Sequence, residues 1–131
     1  MTDTTATPAP TNGKKVLIIE DEEALSTALQ LKLSSAGFNV TVILNGKDGL
    51  ETALSGSFDL ILLDLILPLI DGFTILGKLK EAGKKTPVIV LSNLSQAEDV
   101  EKAKNLGALD YLVKSDIQLS KVLEYVQKVV G

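Results

Sequence analysis

Short, unbroken apolar runs alternate along this chain with longer stretches in which apolar residues recur at helical spacing. The runs predict strands at Lys15–Ile19, Asn39–Ile43, Leu60–Leu63, Val88–Leu91 and Tyr111–Val113. The periodic stretches predict helices at Glu22–Ala36, Gly46–Ser55, Gly72–Ala82, Gln96–Asn105 and Asp116–Val130. In the last of these Leu119, Val122, Leu123, Val126 and Val130 share one helical face. Ser95 with Glu98 and Ser115 with Gln118 have the spacing of capping boxes, and Gly37, Gly83 and Gly107 stand where helices should stop. Five rounds of strand and helix predict an α/β fold, a parallel sheet covered by helices on both faces. Strands that are apolar throughout fit it, because parallel strands are buried on both sides.

Polar residues interrupt this pattern at the carboxyl ends of the strands. Ile19 runs into Glu20 and Asp21, Leu63 into Asp64, Leu91 into Ser92 and Val113 into Lys114. That edge is where open parallel sheets bind ligands. Acidic residues just after a strand are otherwise the first turn of a helix, stabilised by its dipole, and that reading holds for Glu22 and Glu23. Asp64 alone reads as a loop-starting turn, Ser92 as a cap and Lys114 as a solvated charge. Together the set reads differently. Glu20, Asp21 and Asp64 suit a Mg²⁺ ion, and a hydroxyl with an ammonium suits phosphoryl oxygens. Asp71-Gly72 reads as a turn into the third helix, and Tyr111 as a half-buried aromatic with a wet hydroxyl.

Composition narrows the chemistry. The chain has 131 residues, 45% of them hydrophobic, which is enough for one domain with a core. No apolar stretch reaches the roughly eighteen residues a membrane span needs, so no membrane insertion is expected. Residues 1–13 are rich in Thr, Pro and Ala and predict a disordered tail rather than a secretory signal. Net charge is −4, arginine is absent and the lysines are scattered, so direct nucleic-acid binding is not expected. With no cysteine there are no disulfides, which suits a cytoplasmic setting. With no histidine, Ser-His-Asp catalysis and a phosphohistidine on this chain are excluded.

Glu20-Asp21, Asp64 with Pro68 and Asp71-Gly72 after it, Ser92, and Tyr111 three residues before Lys114 form an ordered set. By that set, residues 14–131 resemble the receiver domain of two-component response regulators. The resemblance implies a flavodoxin-like doubly wound three-layer fold, its five-stranded sheet in the order 2-1-3-4-5. It implies that Asp64 is the phosphoacceptor, taking a phosphoryl group from a sensor histidine kinase or phosphotransfer protein. It implies Mg²⁺ on Asp21, Asp64 and the backbone carbonyl of Ile66, with Glu20 acting mainly through water. Ser92 and Lys114 would contact the phosphoryl oxygens. Movement of Ser92 would let Tyr111 turn inward and change the face made by the fourth helix, fifth strand and fifth helix.

The expected protein is thus a stand-alone cytoplasmic response regulator. It turns over no substrate, catalysing only its own phosphoryl acceptance and loss, and its output is contact with a downstream protein whose identity the sequence leaves open. Monomer and homodimer are both left open. The alternative is a receiver-like binding module that works without phosphorylation. A phosphatase using Asp64 as nucleophile would need a second Asp where Ile66 stands. Three departures from the family pattern bear on the site. Ser115 stands where a cis-proline is common, and a cis peptide before a non-proline residue costs about 3 kcal/mol. Asn93 is bulkier than the usual small residue and narrows access to Asp64. Ile66 and Leu94 are apolar at positions flanking the approach of water to Asp64, which predicts a long-lived phosphoryl state.

Overall fold

The structure is a computed structural model and describes residues 13–130. The tail expected at 1–13 lies, Gly13 apart, outside the described residues. Five strands, β1 (Lys15–Ile19), β2 (Asn39–Ile43), β3 (Leu60–Leu63), β4 (Val88–Ser92) and β5 (Asp110–Val113), alternate with α1 (Glu23–Ser35), α2 (Gly46–Ser55), α3 (Gly72–Glu81), α4 (Ala97–Asn105) and α5 (Leu119–Val130). All strand pairs are parallel and the order is β2-β1-β3-β4-β5, as the resemblance implied.

Side chains alternate across each strand, so one strand feeds two cores. Val16, Ile18, Leu60, Leu62, Ile89, Leu91 and Leu112 pack with Leu29 and Leu33 of α1 and Val122 and Val126 of α5. The intervening Leu17, Ile19, Ile61, Leu63, Val88 and Val90 pack with Leu50 of α2, Leu76 and Leu79 of α3 and Ala103 of α4. Continued past the strand ends, the same alternation assigns Glu20, Asp64 and Lys114 to the α1/α5 side. It assigns Ser92 and Tyr111 to the side of α4.

Helix ends follow the sequence in part. Gly37, Gly83 and Gly107 take positive φ of 97°, 70° and 106° directly after α1, α3 and α4, as helix-stopping glycines do. Neither expected capping box forms. Gln96 caps α4 with its carbonyl alone, leaving Ser95 outside the helix. α5 begins at Leu119 rather than Asp116. Lys114–Asp116 first close a single 3-10 turn, and extended Ile117 then packs into the α1/α5 core, so the first α5 bonds run to the Gln118 carbonyl. Among the described residues no peptide bond is cis.

The β3–α3 loop is held from beneath by two glycines. A Cβ on Gly46 would lie 1.6 Å from the Ile70 carbonyl oxygen, and one on Gly72 would lie 2.4 Å from that of Asp64. Between them Leu69 has φ 74°, and the Ile70 N–H donates to the Pro68 carbonyl across it at 2.9 Å. That is the rare, strained three-residue turn with a positive central φ. Leu69 is also 75% exposed, so its side chain offsets little of this cost.

Two substitutions test this loop. Leu69→Gly should raise stability by about 0.5–1 kcal/mol, the strain relieved less the added entropy of an unfolded glycine, as read by urea denaturation. Gly72→Ala should lower it by about 1–3 kcal/mol, because the new methyl meets backbone rather than a flexible side chain.

Candidate functional site

Glu20 and Asp64 follow neighbouring strands that end in register, Ile19 beside Leu63. Both carboxylates are buried, at 2% and 5% exposure, where an unpaired charge would cost several kcal/mol. One ammonium meets both. Lys114 Nζ lies 2.8 Å from Glu20 Oε1 and 2.8 Å from Asp64 Oδ2, and it makes a third contact of 3.1 Å with Glu22 Oε1. The remaining oxygens are also engaged. Glu20 Oε2 accepts the Glu22 N–H at 3.0 Å, and Asp64 Oδ1 accepts the Ile66 N–H at 3.3 Å.

The site's electrostatics follow from these contacts. Burial pushes the Glu20 carboxyl above its ordinary value, although Lys114 and the Glu22 N–H pull it down. Burial also disfavours the Lys114 ammonium, but its hydrogen bonds to Asp64 and Glu20 outweigh that and hold it above the ordinary lysine value. Lys114 is therefore a fixed cation at neutral pH.

Glu20, Asp21 and Asp64 bring carboxylate oxygens within 4.8 Å of one another, with Asp21 exposed. An all-oxygen set of mixed burial, open to solvent through Asp21, fits a hard cation that keeps several waters. Ile66, whose backbone carbonyl the sequence reading included in that set, directs its side chain outward, 57% exposed.

Ser92 is fully buried, and its Oγ accepts the Leu94 N–H at 3.4 Å. The Leu94 carbonyl accepts the Tyr111 hydroxyl. Ser92 and Tyr111 are thus joined through one residue of the β4–α4 loop. The Tyr111 ring packs against the α2/α3/α4 core, half-buried as expected, and its hydroxyl donates to the Leu94 carbonyl. Burial, then the charges of Asp99 and Asp64, push that phenol above its ordinary value, so it stays a donor. Asn93 is exposed, and Leu94 is half-buried against the same core.

The structure thus brings Glu20, Asp64 and Lys114 into contact, sets Asp21 beside them, and links Ser92 to Tyr111. Two residues read from sequence as ordinary have a place here. Glu22, taken for a helix-dipole charge, is a partner of Lys114, and Gly72, taken for a turn, gives the Asp64 backbone its room. The strand alternation, carried one residue past each strand, signals which polar residues meet.

A response regulator receiver domain model matches residues 16–127. The transcriptional regulatory protein DltR of Streptococcus agalactiae serotype III (strain NEM316) is 41% identical over 100 residues, 76% of this chain and 45% of DltR. The response regulator ArlR of Staphylococcus aureus (strain Mu50 / ATCC 700699) is likewise 41% identical over 100 residues, 76% of this chain and 45% of ArlR. The chain thus spans about half the length of the curated relatives it matches. Among solved structures, the Francisella response regulator 1452 receiver domain superposes with a TM-score of 0.85 at 28% identity, covering 90% of this chain and 97% of that one. The receiver domain of the sensor histidine kinase PA1611 from Pseudomonas aeruginosa PAO1, with a magnesium ion coordinated in its active-site cleft, gives 0.80 at 28% identity, covering 91% and 98%.

Removing the lysine should expose the cost of the buried acids. Lys114→Met should lose about 3–5 kcal/mol at pH 7 in metal-free buffer, because Glu20 and Asp64 are left uncompensated. The Glu20 carboxyl, pushed above its ordinary value by burial, withdraws stability as pH rises, so the deficit should narrow between pH 7 and pH 4 as it protonates. In the parent chain the contribution of Lys114 should persist below its unfolded pKa of about 10.4 and fade only in stronger alkali. Denaturant titrations of both proteins across this range measure the two trends.

Proposed function

This chain belongs to the response regulator receiver domain family, and on that footing we propose that it is a phosphorylation-driven switch with Asp64 as phosphoacceptor. The observation that carries this is the buried Asp64 carboxylate, held at the carboxyl edge of the sheet by the Lys114 ammonium at 2.8 Å. A carboxylate is a weak nucleophile, so the site works by alignment and charge neutralisation of a loose phosphoryl transition state. An Asp64 oxygen forms a bond to phosphorus as the bond from phosphorus to the donor's histidine nitrogen breaks, and the electron pair leaves with the imidazole. The donor is a sensor histidine kinase or a phosphotransfer protein.

Glu20, Asp21, Asp64 and the Ile66 carbonyl would hold Mg²⁺, which neutralises charge on the phosphoryl oxygens. Lys114 exchanges a carboxylate contact for a phosphoryl oxygen, and Ser92 supplies a hydroxyl from the opposite side. When Ser92 turns to the phosphoryl group it releases the Leu94 N–H, and the Leu94 peptide carries the change to Tyr111. The signal therefore emerges on the face of α4, β5 and α5, where a downstream protein or domain would read it. α4 suits a moving element, since Ala103 is its one buried residue. Among the described residues no helix is long and apolar enough to cross a membrane.

Acetyl phosphate with Mg²⁺ should add one phosphoryl group to the chain and none to Asp64→Asn, as read by intact mass. Equal labelling of the two would place the phosphoryl group elsewhere and sink the assignment, whereas a parent that takes no label would favour a binding module independent of phosphorylation. The phosphoryl group should also last. Hydrolysis needs water in line with phosphorus, and neither Ile66 nor Leu94 can orient it. An Ile66→Asn, Leu94→Glu double variant should lose phosphate roughly tenfold to a hundredfold faster than the parent. Identical rates would show that the two side chains do not govern access.

A further inference from the structure

An ammonium has three N–H donors, and in this structure all three of Lys114's are taken by carboxylates: Asp64, Glu20 and Glu22. A phosphoryl oxygen reaching Lys114 must displace one of them. Asp64 and Glu20 are poor candidates, because their side chains are only 5% and 3% exposed and a released carboxylate would stay buried without its cation. Glu22 differs in each respect. Its side chain is 61% exposed, its contact is the longest of the three at 3.1 Å, and it sits at the start of α1 where water can take the freed carboxylate.

We infer that Glu22 is a positioning residue that acts through Lys114. In the resting site it occupies the ammonium donor that the incoming phosphoryl group will use, and it adds negative charge at the entrance that an anionic donor must pass. Glu22 thereby sets how readily the site accepts a phosphoryl group. This rests on the phosphoacceptor reading of Asp64 and adds to it a residue whose removal should speed the reaction rather than slow it. Because the pair is exposed, the effect is modest and sensitive to salt.

The direction of the effect separates this role from a structural one. Glu22→Gln and Glu22→Ala should each take phosphoryl groups from acetyl phosphate about 1.5- to 5-fold faster than the parent at low ionic strength, with the gain in apparent KM. The gain should shrink as salt is raised. Loss of phosphate from Asp64 should be unchanged, because in that state Glu22 has already left Lys114. Equal or slower phosphorylation of both variants, each shown by its melting curve to be folded, would overturn the inference while leaving Asp64 as acceptor. A gain that persists undiminished at high salt would overturn it too. If the parent itself takes no phosphoryl group on Asp64, the underlying reading fails and this inference with it.

Discussion

One ammonium reconciles two buried carboxylates with a sheet edge that is otherwise apolar. Without Lys114, Glu20 and Asp64 would be neighbouring buried anions, each costing several kcal/mol. With it, the charges are paired, the remaining carboxylate oxygens find backbone N–H groups, and the ends of β1, β3 and β5 are drawn together. Lys114 itself opens the 3-10 turn at Lys114–Asp116 that precedes α5.

The same interaction is incomplete by design of its charges. Three carboxylates on one ammonium, with Asp21 beside them, leave net negative charge that a hard cation and a phosphoryl group can rearrange. Under the proposed phosphoacceptor role, receiving a phosphoryl group would require no large motion at the site, only a change of partners for Lys114 and Ser92. Strand alternation puts Lys114 with α1 and α5 but Ser92 and Tyr111 with α4, so the polar residues at this edge divide between the two faces of the sheet.

Much of this was legible in the sequence because its signals are local. Apolar runs ending in Glu20, Asp64, Ser92 and Lys114 mark both the strands and the edge they share, and the helix-stopping glycines mark three helix ends. What stayed hidden depends on partners distant in sequence. Glu22 looks like any acid at a helix start until Lys114, ninety-two positions later, is seen beside it. Ser95 and Ser115 have the spacing of caps, but the loops that carry them are shaped by Leu94 and Ile117 packing into the cores, which overrides the local preference. The strained turn at Leu69 was equally unreadable, since nothing in an exposed leucine announces a positive φ.

Lys114 ties the two acids together at rest and, on the proposed mechanism, would pass to the phosphoryl group on activation. The most direct test of this exchange is the ammonium itself, followed by solution NMR in the uniformly ¹⁵N-labelled protein with Mg²⁺ and beryllofluoride as the phosphoryl mimic. The account predicts a protected Lys114 ammonium signal at rest that shifts on adding the mimic, together with the amides of Leu94 and Tyr111. A Lys114 signal in free exchange with water at rest, or one unmoved when the mimic binds, would contradict it.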